Sequence, residues 1–198
     1  AHGGIAAAQF LTAFRFAELL GGAALAGAGK RPVSTPIVDV AVRQVLANSA
    51  GVFQPIAQHQ ATITAVRNTY KELRHLPASA ITRLATNGSQ RAREVVRLHR
   101  AIHQHLAGEW YDEADLLHAA CASATIAPPR TIVFLPQRLR STESSLFDAL
   151  AEHGEVIVLE GTNDLPSDLP LSIVDASDAD EESREAVRVA VAAVHDGI

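Results

Sequence analysis

Gly29 and Lys30 end the segment of this chain that most resembles a nucleotide phosphate-binding loop. In the pattern GxxxxGK[ST], backbone N–H groups and the lysine hold the phosphates, and the final hydroxyl group binds Mg²⁺. Ala24 stands at the position of the first glycine, and Arg31 stands at the hydroxyl position. The segment also follows a predicted helix, whereas the pattern must follow a strand. We therefore do not expect this segment to bind a nucleotide.

Histidine and cysteine residues form two further arrangements that could do chemistry. His99 and His103 are four residues apart and would share a helix face, but neither a third ligand nor an HExxH glutamate accompanies them. Cys121 follows His118 by three residues, so a thiol and a base could meet, yet no oxyanion-hole motif is present. Packing or solvent-facing histidines and a small buried thiol are the better interpretation. The sequence predicts no catalytic residue, no metal site and no cofactor in this chain.

The distribution of charge points instead to binding. The formal net charge is −5, but residues 61–108 carry eight basic and two acidic residues, whereas residues 141–198 carry fourteen acidic and two basic ones. Such asymmetry predicts two segments with different functions, of which the first, basic segment could bind a polyanion. Solvated helix faces in a larger assembly would explain the same asymmetry.

The helix predicted over residues 88–107 would carry a basic ridge beside an apolar stripe. The apolar residues recur at intervals of three and four and predict the buried side: Ala92, Val95, Leu98, Ile102 and Leu106. Another face carries arginines at i, i+4 and i+7: Arg93, Arg97 and Arg100. Guanidinium groups at this spacing could follow a phosphate backbone, and an ordinary exposed arginine stripe would have the same pattern.

The composition is that of a soluble, helix-rich protein. Of the 198 residues, 47% are hydrophobic and only 5% are aromatic. No apolar run approaches the roughly 20 residues that a membrane span needs, so we expect no membrane partner and a cytoplasmic location. A single cysteine cannot form an intrachain disulfide. Methionine is absent and residue 1 is alanine, which leads us to expect a piece of a longer chain.

Periodicity and turn residues predict two kinds of structure along the chain. The N-terminal part is predicted as a strand over 5–11, a helix over 14–20 ending at Gly21 and Gly22, and a Gly/Ala-rich loop. A helical block follows, with Thr35 as the N-cap of its first helix and Pro36 in the first position. Its predicted helices are 37–47, 55–75, 78–86, 88–107 and 112–124.

The pattern changes after Pro128 and Pro129. The run TIVFL at 131–135 is β-branched and apolar, as in strands that are buried on both faces. With a helix over 142–153 and a second strand over 155–161, it predicts a parallel βαβ unit. A third strand over 171–176 and a final helix over 179–196 complete an α/β fold with a large helical insertion.

Two short motifs resemble the helicases of the UvrD/RecB superfamily. In that group, a Thr-x-x-x-Phe-Ala pattern opens a helix near single-stranded DNA, and Thr12, Phe16 and Ala17 match it. A later aromatic-Asp-x-x-Asp-Leu-Leu segment closes a helical insertion, and this chain supplies Tyr111, Asp112, Asp115, Leu116 and Leu117. The resemblance implies a partial RecA-like parallel sheet, of the type found in P-loop NTPases, formed by residues 1–36 and 128–198, with residues 37–127 as the helical insertion.

The chain departs from active motors of this group at the magnesium site. Where such motors carry Asp-Glu after the Walker B strand, this chain has Leu135 and Pro136. Neither side chain can bind Mg²⁺ or orient the attacking water. At the next strand Glu160 and Gly161 replace the usual Gly-Asp. The whole pattern looks most like an actinobacterial AddB-like, RecB-family nuclease-helicase protein whose helicase domain is degenerate.

The resemblance implies binding rather than catalysis. We expect the chain to bind DNA, as a single strand or a duplex end, or to scaffold a partner helicase subunit, without hydrolysing ATP. The residues predicted to touch DNA are Thr12, Arg15, Phe16, Arg93, Arg97 and Arg100. The alternatives are a fragment of an active ATP-dependent helicase with its Walker A motif upstream, and an interaction module unrelated to helicases. In this family a PD-(D/E)xK nuclease domain lies C-terminal to such a segment.

Overall fold

A computed structural model of the chain describes residues 9–134, 136 and 138–161, together with residues 181, 184, 185, 187–189 and 191. The chain divides into two compact units, Ala1–Glu160 and Gly161–Ile198. In the second unit, the described residues from 181 to 191 are helical, within the range of the predicted final helix. The predicted strand over 171–176 lies outside the described residues.

The described part of the first unit is mainly helical. Its α-helices are α1 (Ala13–Gly27), α2 (Thr35–Asn48), α3 (Gln60–Arg74), α4 (Ala78–Asn87), α5 (Gln90–Leu106), α6 (Glu113–Ala122) and α7 (Ser141–Ala151). Its strands are β1 (Arg31–Pro32), β2 (Trp110–Tyr111), β3 (Arg130–Phe134) and β4 (Glu155–Leu159). Short 3₁₀ helices span Gly51–Ile56 and Ala124–Ile126. None of the described helices combines the length and apolar character that crossing a bilayer requires.

Helix α1 is longer than predicted. It runs through Gly21 and Gly22, where the sequence predicted its end and the start of a loop. A Cβ atom at Gly21 would lie 2.6 Å from the Ala120 nitrogen and 2.9 Å from the Leu116 oxygen of α6. Gly21 therefore allows two helix backbones to approach closely and does not terminate α1. The sequence alone could not show this role of Gly21, because it depends on the position of α6.

Two other N-terminal predictions need correction. Residues 9–11 are not in a strand, so the strand predicted over 5–11 is wrong where the structure describes it; residues 1–8 lie outside the described part. Helix α2 begins at Thr35, and Ser34 is its N-cap residue, one position before the predicted cap. Pro36 lies in the first turn, as expected for a residue without an N–H group.

Helices α2, α3 and α5 enclose the first hydrophobic core. Its largest fully buried side chains are Val38, Val42, Leu46, Ile63, Leu98 and Ile102. The stripe predicted on α5 is confirmed at Leu98, Ile102 and Leu106, whereas Ala92 and Val95 are only half-buried. The predicted helix over 55–75 is shorter, since Pro55 lies in the 3₁₀ helix and α3 begins at Gln60.

Helices α1, α6 and α7 enclose a second core. Its buried members are all Ala or Leu, as the small-residue composition predicts: Ala17, Leu20, Leu25, Leu116, Leu117, Ala120, Ala124, Leu146 and Leu150. Phe16, Tyr111 and Val156 are partly buried and pack against it. The described part of the first unit thus has two separate apolar centres.

Two parallel strand pairs accompany the helices. Strands β3 and β4 pair in parallel with Arg130 opposite Glu155 and Phe134 opposite Leu159, which confirms the predicted βαβ unit. Strands β1 and β2 form a second, unpredicted pair with Arg31 opposite Trp110. The expectation that β3 and β4 are buried on both faces fails among the described residues, since Phe134 is 71% exposed.

Candidate nucleic-acid interface

Helices α4 and α5 form a segment that is nearly free of acidic residues. Between Ala78 and Leu106 the only carboxylate belongs to Glu94. Helix α4 packs against α5, and Ser89 begins α5 as its N-cap, its Oγ accepting a hydrogen bond from the Ala92 nitrogen at 3.2 Å. The basic side chains of both helices are therefore held on regular, packed elements.

Arginines of α4 and α5 differ from most other described arginines in their partners. Elsewhere, most guanidinium groups pair with carboxylates: Arg15, Arg31, Arg67, Arg74, Arg130, Arg140 and Arg188. On α4 and α5 only Arg97 does so. Arg83, Arg91 and Arg100 are exposed and make no hydrogen bond or ion pair among the described residues, and Arg93 donates only to the Gly88 oxygen at 2.7 Å. These four side chains keep their charge available for an external anion.

Arg97 has a different position from its predicted neighbours on the ridge. Its Nη2 donates to Glu94 Oε2 and to the Ser49 oxygen, both at 2.9 Å. Gly51, with φ at +56°, brings the backbone so close that a Cβ atom there would collide with Glu94. Arg97 thus attaches α5 to the end of α2, while Arg93 and Arg100 lie exposed on either side of it.

The three residues predicted at the start of α1 have mainly structural contacts. Thr12 is the N-cap, and its Oγ1 accepts from the Arg15 nitrogen at 3.3 Å. Arg15 is exposed but pairs with Glu18 at 2.5 Å. Phe16 packs against the second core. Of the three, Arg15 alone extends a charged group into solvent, and its charge is already neutralised.

The second motif that resembles those helicases is explained by helix capping and by an ion pair. The Asp112 side chain accepts from the Asp115 nitrogen at 3.0 Å, and Asp115 Oδ2 accepts from the Asp112 nitrogen at 3.1 Å, which is a capping box. Arg74 of α3 donates to Asp112 Oδ2 at 2.6 Å and to Asp115 Oδ1 at 2.5 Å. Tyr111 lies in β2 and packs against the second core. The motif therefore stabilises the start of α6 and joins it to α3.

Electrostatics in this Arg74 cluster follow from burial and contact. Burial opposes ionisation of Asp112, but the hydrogen bond and charge of Arg74 outweigh it and hold the Asp112 pKa below its ordinary value. Burial, followed by the Asp112 charge, raises the pKa of Tyr70, whose hydroxyl donates to Asp112 at 3.3 Å. Asp112 is thus an ionised acceptor at neutral pH, without the raised pKa of a general acid.

Of the two histidines near Arg74, His99 is buried and His103 is half-buried, and both have a lowered pKa. Burial, together with the charge of Arg74, lowers the pKa of His99 to about 4 and also lowers that of His103. The His99 Nδ1 atom is buried without a hydrogen-bond partner, and its ring lies 5.4 Å from that of Tyr70. Across the described residues no group of three potential ligands could hold a metal ion. The buried His99 ring packs beside Tyr70, and His103 is half-buried one helical turn further along α5.

A second polar cluster joins the end of α3 to α7. His75 is buried, and its Nδ1 lies 2.8 Å from Thr142 Oγ1. Arg140 Nη1 lies 2.8 Å from His75 Nε2, and Arg140 also pairs with Glu113 at 2.9 Å. Burial, followed by the charge of Arg140, lowers the pKa of His75. Because Arg140 can only donate, His75 is neutral with its proton on Nδ1.

The remaining predicted positions fall at the end of β3 and in α6. Leu135 lies outside the described residues, and Pro136 is half-buried just beyond β3. Burial raises the pKa of the Cys121 thiol, and the side chain is half-buried against the second core. This agrees with a packing role for Cys121.

Sequence reasoning missed two members of the site, Arg83 and Arg91. The available signal was the interval from Leu73 to Arg93, which contains no acidic residue. It also missed Arg74, whose partners lie nearly forty positions away in sequence and meet it only in the folded chain. No protein-family model matches the chain, and no curated protein matches it either.

Proposed function

We propose that this chain is a helicase-like domain that binds nucleic acid without hydrolysing ATP. The observation that carries the proposal is the set of unpaired arginines on α4 and α5. Polyanion binding depends on cationic groups that are not already neutralised, since each phosphate contact releases condensed counterions. A net charge of −5 does not oppose this, because a local basic surface steers an anionic strand within a Debye length.

The motifs that resemble UvrD/RecB helicases support the helicase-like part of the proposal. Strand β3 leads into Leu135 and Pro136, where a motor of that group needs two carboxylates. Aliphatic and cyclic side chains offer no oxygen to a magnesium ion, so the phosphoryl-transfer chemistry lacks its metal clamp and its base. ATP turnover by the full-length chain, lost on mutation of this region, would contradict this part of the proposal.

The test is a salt titration of binding to a single strand of DNA. In the variant Arg93→Ala/Arg100→Ala, the slope of log K against log salt should fall by about 1.4, since each contact to a single strand contributes about 0.7. The control variant Arg31→Ala/Arg130→Ala removes the same charge from arginines that are paired with Glu109 and Glu155. Equal slopes for the two variants would contradict the proposed surface.

A second function, docking of a partner helicase subunit, is favoured by the β3–β4 pair. The apolar side chains Ile132, Phe134 and Leu159 are 55%, 71% and 45% exposed, and they share one face of the pair because Phe134 lies opposite Leu159. Such a patch is typical of an interaction surface. The variant Phe134→Ser/Leu159→Ser should lose co-sedimentation with a UvrD-type motor subunit from the same cell. Unchanged co-sedimentation, or none with the wild-type chain, would overturn this function.

A further inference from the structure

An open cleft lies between the end of α2 and the outer side of α5. Its volume is about 490 Å³, within the range of about 300–1,000 Å³ typical of small-molecule sites. Val45 and Ala101 contribute apolar surface, and the polar lining comes from Asn48, Ser49, Arg97, Gln104 and His105. The cleft therefore lies at the surface beside the first core, against which Val45 packs.

The polar side chains of this α2–α5 cleft are free to bind a ligand. The side chains of Asn48, Gln104 and His105 are exposed and make no hydrogen bond with any other described residue. An Asn or Gln amide has both a donor and an acceptor, which matches the edge of a nucleobase, and an imidazole ring can stack on its face. The guanidinium group of Arg97 already forms an ion pair with Glu94 and donates a hydrogen bond to the Ser49 oxygen.

The position of the cleft favours a base inside it and phosphate groups outside it. The last carbonyl groups of α2 give this end of the helix a negative potential, which disfavours a phosphate inside the cleft. Arg93 and Arg100 lie outside the cleft, and Gln104 follows Arg100 by one helical turn on the same face of α5. A strand whose phosphates contact these arginines would bring a base to the amide groups.

We infer that the α2–α5 cleft holds one unstacked nucleobase of a single strand whose backbone follows Arg93 and Arg100. This inference rests on the proposed nucleic-acid function and adds its substrate class. A duplex keeps its bases paired and stacked, so it cannot insert a whole base into the cleft. The chain therefore prefers single strands, and this preference depends on bases and not only on charge.

The test compares two single strands of equal length, an oligothymidine and an abasic strand with the same number of phosphates. The wild-type chain should bind the oligothymidine about tenfold more tightly. The variant Asn48→Ala/Gln104→Ala should lose this ratio and keep the salt slope. Arg93→Ala/Arg100→Ala should weaken binding of both strands. The variant Gln54→Ala, an exposed amide outside the cleft, is the control and should bind as the wild type does.

Two results separate the possible failures. Equal affinity of the wild-type chain for the two strands, with a steep salt slope that falls in the arginine variant, would overturn the cleft and leave the proposed function intact. A ratio that survives in Asn48→Ala/Gln104→Ala would also overturn the cleft. If neither strand binds, the proposed function fails, and the cleft inference fails with it. All substituted side chains are exposed or half-buried, and circular dichroism of each variant verifies its fold.

Discussion

Arg74 is the centre of the least exposed cluster of ion pairs in the described part of the chain. Its side chain is only 11% exposed and contacts Asp112 and Asp115, which are 17% and 22% exposed. Partly buried charges remain favourable only while their partners are present. The Tyr-Asp-x-x-Asp pattern thus has a sufficient explanation in capping and ion pairing, whatever else the motif does in helicases.

Removing Arg74 should destabilise the fold strongly. In Arg74→Leu, two partly buried carboxylates would lose their cation, and the free energy of unfolding should fall by about 3 kcal/mol. The exposed pair of Arg130 and Glu155 provides a control, since Arg130→Leu should cost less than about 1 kcal/mol. Denaturant unfolding followed by the fluorescence of Trp110, which packs against the first core, measures both values for that core. Similar losses in the two variants would contradict the importance of burial.

The pH dependence of stability should reflect neutral, buried histidines. The pKa of His99 is about 4 in the folded chain and about 6.5 in the unfolded chain. Between these values the unfolded state binds a proton that the folded state does not, so stability is complete above pH 6.5 and decreases as the pH falls toward 4. The lowered pKa values of His75 and His103 act in the same direction.

The variant His99→Phe should flatten this pH dependence. Phenylalanine cannot take up a proton, leaves no unpaired Nδ1, and has space in the apolar cavity of about 130 Å³ that His99 lines. Urea midpoints at pH 7.5 and pH 5 should therefore differ less in His99→Phe than in the wild-type chain. The contribution removed is on the order of 3 kcal/mol at its largest. An equal difference in both proteins would contradict the assignment.

At the scale of the elements, two adjacent glycines of α1 should respond oppositely to alanine. Gly21→Ala would place a methyl group against the backbone of α6 and should destabilise the chain by about 1–3 kcal/mol. Gly22 has open space around its Cβ position, so Gly22→Ala should stabilise α1 by about 0.5–1 kcal/mol. Thermal unfolding of the two variants checks the pair. Changes of the same sign would contradict the close approach of α1 and α6.

The same glycines show which elements could be predicted from the sequence. Helices with strong apolar periodicity, such as α5, and the parallel β3–β4 pair were predicted to within a few residues, because a local pattern specifies them. The end of α1 was predicted wrongly. Judged from its sequence neighbours, Gly21 is a signal for the end of a helix, and its role in close packing can be recognised only when the position of α6 is known. The pair β1 and β2 has two residues in each strand and is too short to produce a periodic signal.

The candidate site was predictable to a similar extent. Helical spacing correctly placed Arg93 and Arg100 on the exposed side of α5. Spacing could not show that Arg97 would bind Glu94 and the Ser49 oxygen, since the second partner lies 48 residues away in sequence. The α2–α5 cleft could not be predicted from the sequence either, because its two sides meet only after the helices pack.

At the scale of the whole first unit, polar contacts link the two hydrophobic cores. Arg74 and His75 at the end of α3 contact α6 and α7, respectively, through Asp112 and Thr142. Apolar burial stabilises each core on its own, whereas these directional contacts fix one core relative to the other. Cooperative unfolding of the described part of the unit should therefore depend on them.

Unfolding of Arg74→Leu should lose its two-state character. Trp110, the only tryptophan of the chain, packs against the first core and reports its integrity through fluorescence. Circular dichroism reports helices of both cores. The two signals should follow one transition in the wild-type chain and separate transitions in Arg74→Leu. Coincident curves in the variant would show that the cores are coupled by other contacts.

The unpaired arginines of α4 and α5 also determine how the molecule should behave on an ion-exchange column. A protein with a sequence pI near 6.0 ordinarily flows through a cation exchanger at pH 7.5. A protein binds an ion exchanger, however, through a local charged surface and not only through its net charge. This chain should therefore be retained on both sulfonate and quaternary-amine media. Arg93→Ala/Arg100→Ala should elute earlier from the sulfonate column and hardly change on the other.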